Sequence, residues 1–216
     1  GRLFVTERAG RVRIFNAGSS ETAATLTFHP QGDPSAIRSI TTTLAPRAVL
    51  SVDSVLQSLF EVTNSAGSLV ITTPAPSRLV VTARTYSQTD HGTYGQFIPA
   101  VTAGDGVGAG ERALQLLQIE ESERFRTNLG IVELTGNPAT VEISAFTPDS
   151  KVTAVTRVEL RASEFLQIDH ILRNFGLPAT YNARVTLKVV AGSGTVSGYA
   201  SLVDNRTNDG TYIPAQ

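Results

Sequence analysis

The chain of 216 residues contains no cysteine, no methionine and no tryptophan. Without cysteine there is no disulfide staple, no thiolate nucleophile and no thiolate zinc ligand, so stability has to come from packed apolar residues. Aromatic residues make up only 6% of the chain, which weakens any carbohydrate platform built from exposed rings. Neither sign of charge dominates, with 18 basic against 19 acidic residues and a net charge of −1. The basic excess that nucleic-acid binding leaves in a sequence is therefore missing. No apolar run approaches the length of a membrane-spanning helix and no signal-peptide pattern is present, so membrane insertion is not expected. Because residue 1 is Gly, the chain is expected to start inside a longer precursor or a processed product. The lack of oxidisable sulfur suits an extracellular or cell-surface location.

What is present is a pattern written twice. Gly92-Thr93-Tyr94 is followed by Phe97-Ile98-Pro99-Ala100, and the chain closes on Gly210-Thr211-Tyr212-Ile213-Pro214-Ala215. Leu44, Leu50, Val52, Asp53, Val55, Leu56 and Leu59 reappear in order and at constant spacing as Leu160, Leu166, Ile168, Asp169, Ile171, Leu172 and Phe175. Further on, Leu69, Ile71, Thr89, Gly92 and Tyr94 match Leu187, Val189, Thr207, Gly210 and Tyr212. Identities are few and apolar positions carry the match, the signature of a duplication preserved by packing rather than by chemistry.

Short segments alternating with a period near two predict half-buried strands at 12–15, 24–28, 39–44, 68–72 and 79–85, and again at 128–134, 139–144, 152–160, 183–190 and 195–203. One helical turn interrupts each copy, after Asp53 and after Asp169, where the acid would accept hydrogen bonds from the first-turn amides. The expected fold is all-β: two tandem antiparallel, immunoglobulin-like β-sandwiches, each with one short helical turn. The copies would span 1–100 and 113–216, joined by a flexible glycine-rich linker at 101–112. The segment 113–119 reads as a strand, in the place that Leu3-Phe4-Val5 takes ahead of the first copy.

Candidate chemistry is sparse. Gly104-Asp105-Gly106-Val107-Gly108-Ala109 fits a dinucleotide-binding string, but no parallel strand and long helix flank it. His29, His91 and His170 stand at no metal-ligand spacing, and nothing pairs two acids among Glu120, Glu121, Glu123, Asp149 and Glu159 for glycoside cleavage. Asn205-Arg206-Thr207 is a glycosylation tripeptide. The loop Asp204 to Gly210 offers oxygen ligands, so calcium at Asp204, Asn208 and Asp209 is one reading and a tight turn the other. Tyr94 and Tyr212 read as duplicated packing residues, while Tyr86 and Asp204 would serve a glycan-binding reading. No catalytic residue and no cofactor other than possible calcium are expected.

Phe125-Arg126-Thr127-Asn128-Leu129-Gly130, Pro138-Ala139-Thr140-Val141, Gly92 to Ala100 and Val203-Asp204-Asn205-Arg206-Thr207 together resemble the tandem β-sandwich repeats near the C-termini of large secreted or surface proteins of environmental bacteria. That group has no assigned activity, so the resemblance implies architecture and an extracellular location but no catalytic residues. The expectation is a non-enzymatic structural or adhesive module that self-associates, or packs on neighbouring domains of a longer chain, by strand-edge or donated-strand pairing. Arg2, Leu3, Phe4 and Val5 are the expected donor strand. A glycan- or calcium-binding accessory module is the alternative.

Overall fold

The computed structural model describes residues 2–5 as backbone and residues 10–33, 36–74, 78–90, 92–149 and 151–216 with their side chains. His91 lies outside the described residues. The chain forms two compact units, Gly1–Thr102 and Ala103–Gln216.

In the first unit the strands are β1 (Arg2–Val5), β2 (Gly10–Asn16), β3 (Thr22–Pro30), β4 (Arg38–Leu44), β5 (Val49–Val52), β6 (Gly67–Thr72), β7 (Leu79–Thr89) and β8 (Gly92–Pro99), with helix α1 (Val55–Phe60) between β5 and β6. They form two four-stranded antiparallel sheets, ordered β1-β6-β3-β4 and β5-β2-β7-β8. Period-two alternation sends Val12 and Ile14 from one sheet, and Ala24, Leu26, Phe28, Leu69 and Ile71 from the other, into the interior. Val55, Leu56 and Phe60 of α1 are buried with them, and the Phe60 ring lies 5.9 Å from that of Phe28.

The second unit repeats the arrangement with β9 (Leu114–Glu121), β10 (Phe125–Glu133), β11 (Ala139–Phe146), β12 (Val152–Leu160), β13 (Phe165–Ile168), α2 (Ile171–Asn174), β14 (Thr180–Gly192), β15 (Val196–Asp204) and β16 (Gly210–Pro214). Its sheets run β9-β14-β11-β12 and β13-β10-β15-β16, strand for strand the order of the first unit. Leu114, Leu116, Ile143, Val185 and Leu187 of one sheet pack with Leu129, Ile131, Val196 and Ala200 of the other, and Ile171 and Leu172 of α2 close the same core. Both units are thus all-β antiparallel sandwiches. Among the described residues each has eight strands, four to a sheet, a different distribution from the four and three of an immunoglobulin constant domain.

Three local expectations change. The Asp residues ahead of the helices do not cap them. Ser54 and His170 occupy the cap positions, both left-handed at φ 49° and 50°, with no side-chain cap bond. With a left-handed residue interposed, Asp53 instead faces Arg11 and Arg13 at 3.3 and 3.0 Å, and Asp169 accepts from Gln167. The duplicated cap runs the other way: Ser58 Oγ and Asn174 Nδ2 each donate back to the carbonyl of that Asp, at 2.7 Å in both units.

The glycine-rich stretch is also more than a joint. After a short 3₁₀ turn at Ala103–Asp105, Val107 exchanges two 2.9 Å backbone hydrogen bonds with Val196 and is buried in the second core. Gly106 allows this close approach, since a Cβ there would stand 2.8 Å from Leu134 Cδ1.

Finally, the tyrosine match is displaced. Ile98 pairs with Ala83 and Ile213 with Ala200, so the two Ile-Pro steps are equivalent and Phe97, not Tyr94, holds the place of Tyr212. Tyr94 sits in the longer β7–β8 hairpin, opposite Ser87. The same register sets Ile71 against Leu26 and Leu187 against Ile143, so Ile71 corresponds to Leu187 rather than to Val189.

Candidate functional site

The Asp204 loop joins β15 to β16 and is closed by its own bonds. The Asp204 carboxylate accepts the backbone N–H of Arg206 at 2.8 Å and of Thr207 at 3.3 Å, with Arg124 at 3.5 Å on its other oxygen. The Arg206 bond leads in holding this carboxyl below its ordinary range; burial opposes it, and Thr207 and Arg124 add to the lowering. Asn205 and Asn208 turn their side-chain oxygens to the Arg126 guanidinium at 2.8 and 3.0 Å. The Asp209 N–H donates to Thr207 Oγ1, and its carbonyl accepts from Asp204. Of the residues in the calcium reading, Asp204, Asn208 and Asp209, the first two have side-chain oxygens engaged within the loop. Those Asp204 and Asn208 oxygens serve an Asx turn and two arginines, the arrangement of the tight-turn reading. Among the described residues no group of three His, Cys, Asp or Glu is placed to hold a metal.

Two buried acids in the second unit escape a reading of the sequence. Glu121, at the end of β9, is fully buried; its Oε1 meets His170 Nδ1 at 2.8 Å and Arg173 at 3.2 Å, while Oε2 has no partner. The His170 backbone N–H is held by Asn128 Oδ1 at 3.1 Å. This cluster ties α2 to β9. Left-handed Gln118, φ 59°, shifts the alternation of β9, so Glu121 falls on the inward face although its phase from Leu114 says otherwise.

Glu133, also fully buried, accepts from the Thr135 hydroxyl and N–H on Oε1 and from the N–H of Gly136 and Ser163 on Oε2. Burial opposes its charge, but these donors outweigh burial and hold its carboxyl below the ordinary value. A Glu two residues before a Thr-Gly turn is the signal that would have marked it.

On the outward face of the second sheet, the Tyr199 ring lies over Gly130, where a Cβ would come within 2.1 Å of it, and stacks on Tyr212 at 5.2 Å. Burial pushes the Tyr212 phenol up to about 12, and raises that of Tyr199 further still, with the nearby Tyr212 and Asp169 charges adding to the rise. The first unit carries a different face. Arg13 stands at the place of Gly130, Thr82 at that of Tyr199, and Arg11 and Arg84 lie over the Tyr86 ring at 4.9 and 5.5 Å.

The expected donor segment Arg2 to Val5 is not unpaired. As β1 it closes the edge of its own sheet, with Arg2 opposite Val70 and Val5 opposite Gly67. Of the remaining edge strands, β5 and β13 have four residues each and β16 five. β8 and β16 end in proline, and register shifts break β9. Short length, proline and bulges are the devices that protect an edge from further pairing. The long regular edges are β4, with seven residues, and the Ala154 to Leu160 part of β12, which lies beyond a register shift between Val152 and Ala154. No helix among the described residues is long and apolar enough to cross a membrane. The molecule is thus a tandem of two like antiparallel sandwiches. The chain matches no protein-family model and no curated protein.

Proposed function

We propose that the chain is a non-enzymatic structural or adhesive module acting outside the cell, which associates with copies of itself or with neighbouring domains by pairing of sheet edges. One observation carries this reading: the two units repeat a backbone and a core, while among the described residues their polar clusters do not recur. Strand order, the left-handed residue before the helix and its back-bonded cap all recur. At the polar cluster of the second unit, by contrast, Ser54 stands where the other copy has His170, and Gln57 where it has Arg173. A duplication kept for a reaction would be expected to keep a matched polar cluster, whereas the acid that does recur, Asp53 and Asp169, faces two arginines in one unit and Gln167 in the other. A duplication kept for shape needs only packing, which is what the copies share. Absence of cysteine and methionine and the resemblance to secreted repeat modules support the extracellular part of the proposal.

Electron microscopy and light scattering of the native protein over a range of concentrations, with and without calcium, test it. Ordered fibres or sheets, or concentration-dependent association, are expected. A monomer at every concentration overturns the reading, and assembly that requires calcium would return the Asp204 loop to consideration.

A further inference from the structure

We infer that β12 is the edge through which the second unit pairs with a second copy of this chain, antiparallel about a two-fold axis at Val158, with Arg157 of each copy opposite Glu159 of the other. The inference rests on the self-association proposed above and adds to it a surface, a partner and a register.

Two edges keep a regular stretch of seven residues, β4 and the part of β12 from Ala154 to Leu160, and they differ in what they offer. The β4 strand carries one charged residue, Arg38, whose guanidinium is committed to the carbonyl of Phe60 at 2.9 Å. Its Ser39 and Thr41 hydroxyls bond across to Thr27 and Thr25 of its own sheet. The β12 strand is regular from Ala154 to Leu160, and its Val155 is 53% exposed. It also bears one charge of each sign, two residues apart on the outward face. Arg157 grips Glu142 through Nε at 3.0 Å and one terminal nitrogen at 2.8 Å, which holds the guanidinium in place and leaves its second terminal nitrogen unbonded. Glu159 is exposed and has no hydrogen-bond or ion-pair partner among the described residues.

Register follows from the pleat. Ala154, Thr156, Val158 and Leu160 turn toward the core side, so a second β12 must oppose inward residues with inward ones, or every side chain changes face. A two-fold axis centred on a residue satisfies this. Centred on Arg157 it sets two guanidinium groups against each other. Centred on Val158 it sets Val158 on Val158, Thr156 on Leu160, and Arg157 opposite Glu159 twice. Cross-strand pairs of opposite charge stabilise a ladder and like pairs destabilise it. Such a contact is isologous and closed: a dimer with a sheet continuous across both copies.

Charge reversal tests this on the intact chain. Sedimentation velocity over a concentration series is expected to show a dimer for the native protein. Glu159→Arg and Arg157→Glu, each alone, place like charges opposite one another at both pairs and should weaken dimerisation at least about tenfold. Mixing the two variants restores both pairs in a heterodimer, so the 1:1 mixture should dimerise where neither variant does. Both positions are exposed, and an unchanged circular dichroism spectrum checks that each variant is folded. If the single variants associate as the native chain does, or the mixture fails to recover, the β12 register is overturned while self-association stands. If the native chain is monomeric throughout, the self-association reading falls and this inference falls with it.

Discussion

Gly130 and Glu133, three residues apart on β10, serve opposite faces. Gly130 has no side chain because the Tyr199 ring occupies that space. Gly130→Ala should lower the unfolding free energy by about 1–3 kcal/mol through overpacking. Urea denaturation measures it, and the near-ultraviolet signal of the stacked Tyr199 and Tyr212 rings should change in the folded variant. Glu133 is a buried acid with donors on both oxygens. Its folded-state affinity for a proton lies below that of the unfolded chain, whose ordinary value is 4.5. The stabilisation is therefore complete above that value and is lost as pH falls through the depressed folded value. Glu133→Gln should cost about 1–3 kcal/mol at neutral pH by leaving donors poorly matched. The gap to the native protein should close on acidification; a gap independent of pH would contradict the role given to the charge. Gly130 does not announce itself in the sequence, because the Tyr199 ring comes from a strand far along the chain. Glu133, by contrast, is marked by the Thr135-Gly136 turn beside it, and only its Ser163 donor is distant.

At the scale of elements, legibility tracked length. Strands such as β3, β11 and β12 show several cycles of alternation, and the period-two pattern marks them. With four residues each, β5 and β13 are too short to display a period, and the proline endings of β8 and β16 read as punctuation. The Tyr94 and Tyr212 phrases matched as letters although the ladders align Phe97 with Tyr212, because a hairpin can lengthen without disturbing the core beneath it. The glycine-rich stretch shows the converse: composition says flexible, yet Val107 is bridged to Val196. A fragment of residues 113–216 should therefore be less stable than one of 103–216, by about 2–3 kcal/mol for one buried valine and two backbone hydrogen bonds. Equal urea midpoints for the two fragments would show the strap to be a passive joint.

For the whole molecule, duplication explains what is shared and what has drifted. Many inward positions stay apolar in both units, and the outward ones diverge into arginines over Tyr86 in one and stacked tyrosines in the other. Sheet order carries a further regularity. Within a unit, advancing every strand by four positions, and returning to the first after the eighth, converts β1-β6-β3-β4 into β5-β2-β7-β8. In consequence only the β3–β4 and β7–β8 ladders, with β11–β12 and β15–β16 in the second unit, join strands adjacent in sequence; every other ladder awaits a strand from a distant part of the chain. Nucleation can begin in those hairpins, but neither sheet can be completed before the other is well advanced. Each unit should accordingly fold slowly, in about milliseconds to seconds, and in one cooperative step, as high contact order demands. A stopped-flow chevron free of rollover would bear that out, and a populated half-sandwich would refute it: the interleaving that makes the two sheets interdependent in the finished fold also denies the chain a stable resting point on the way there.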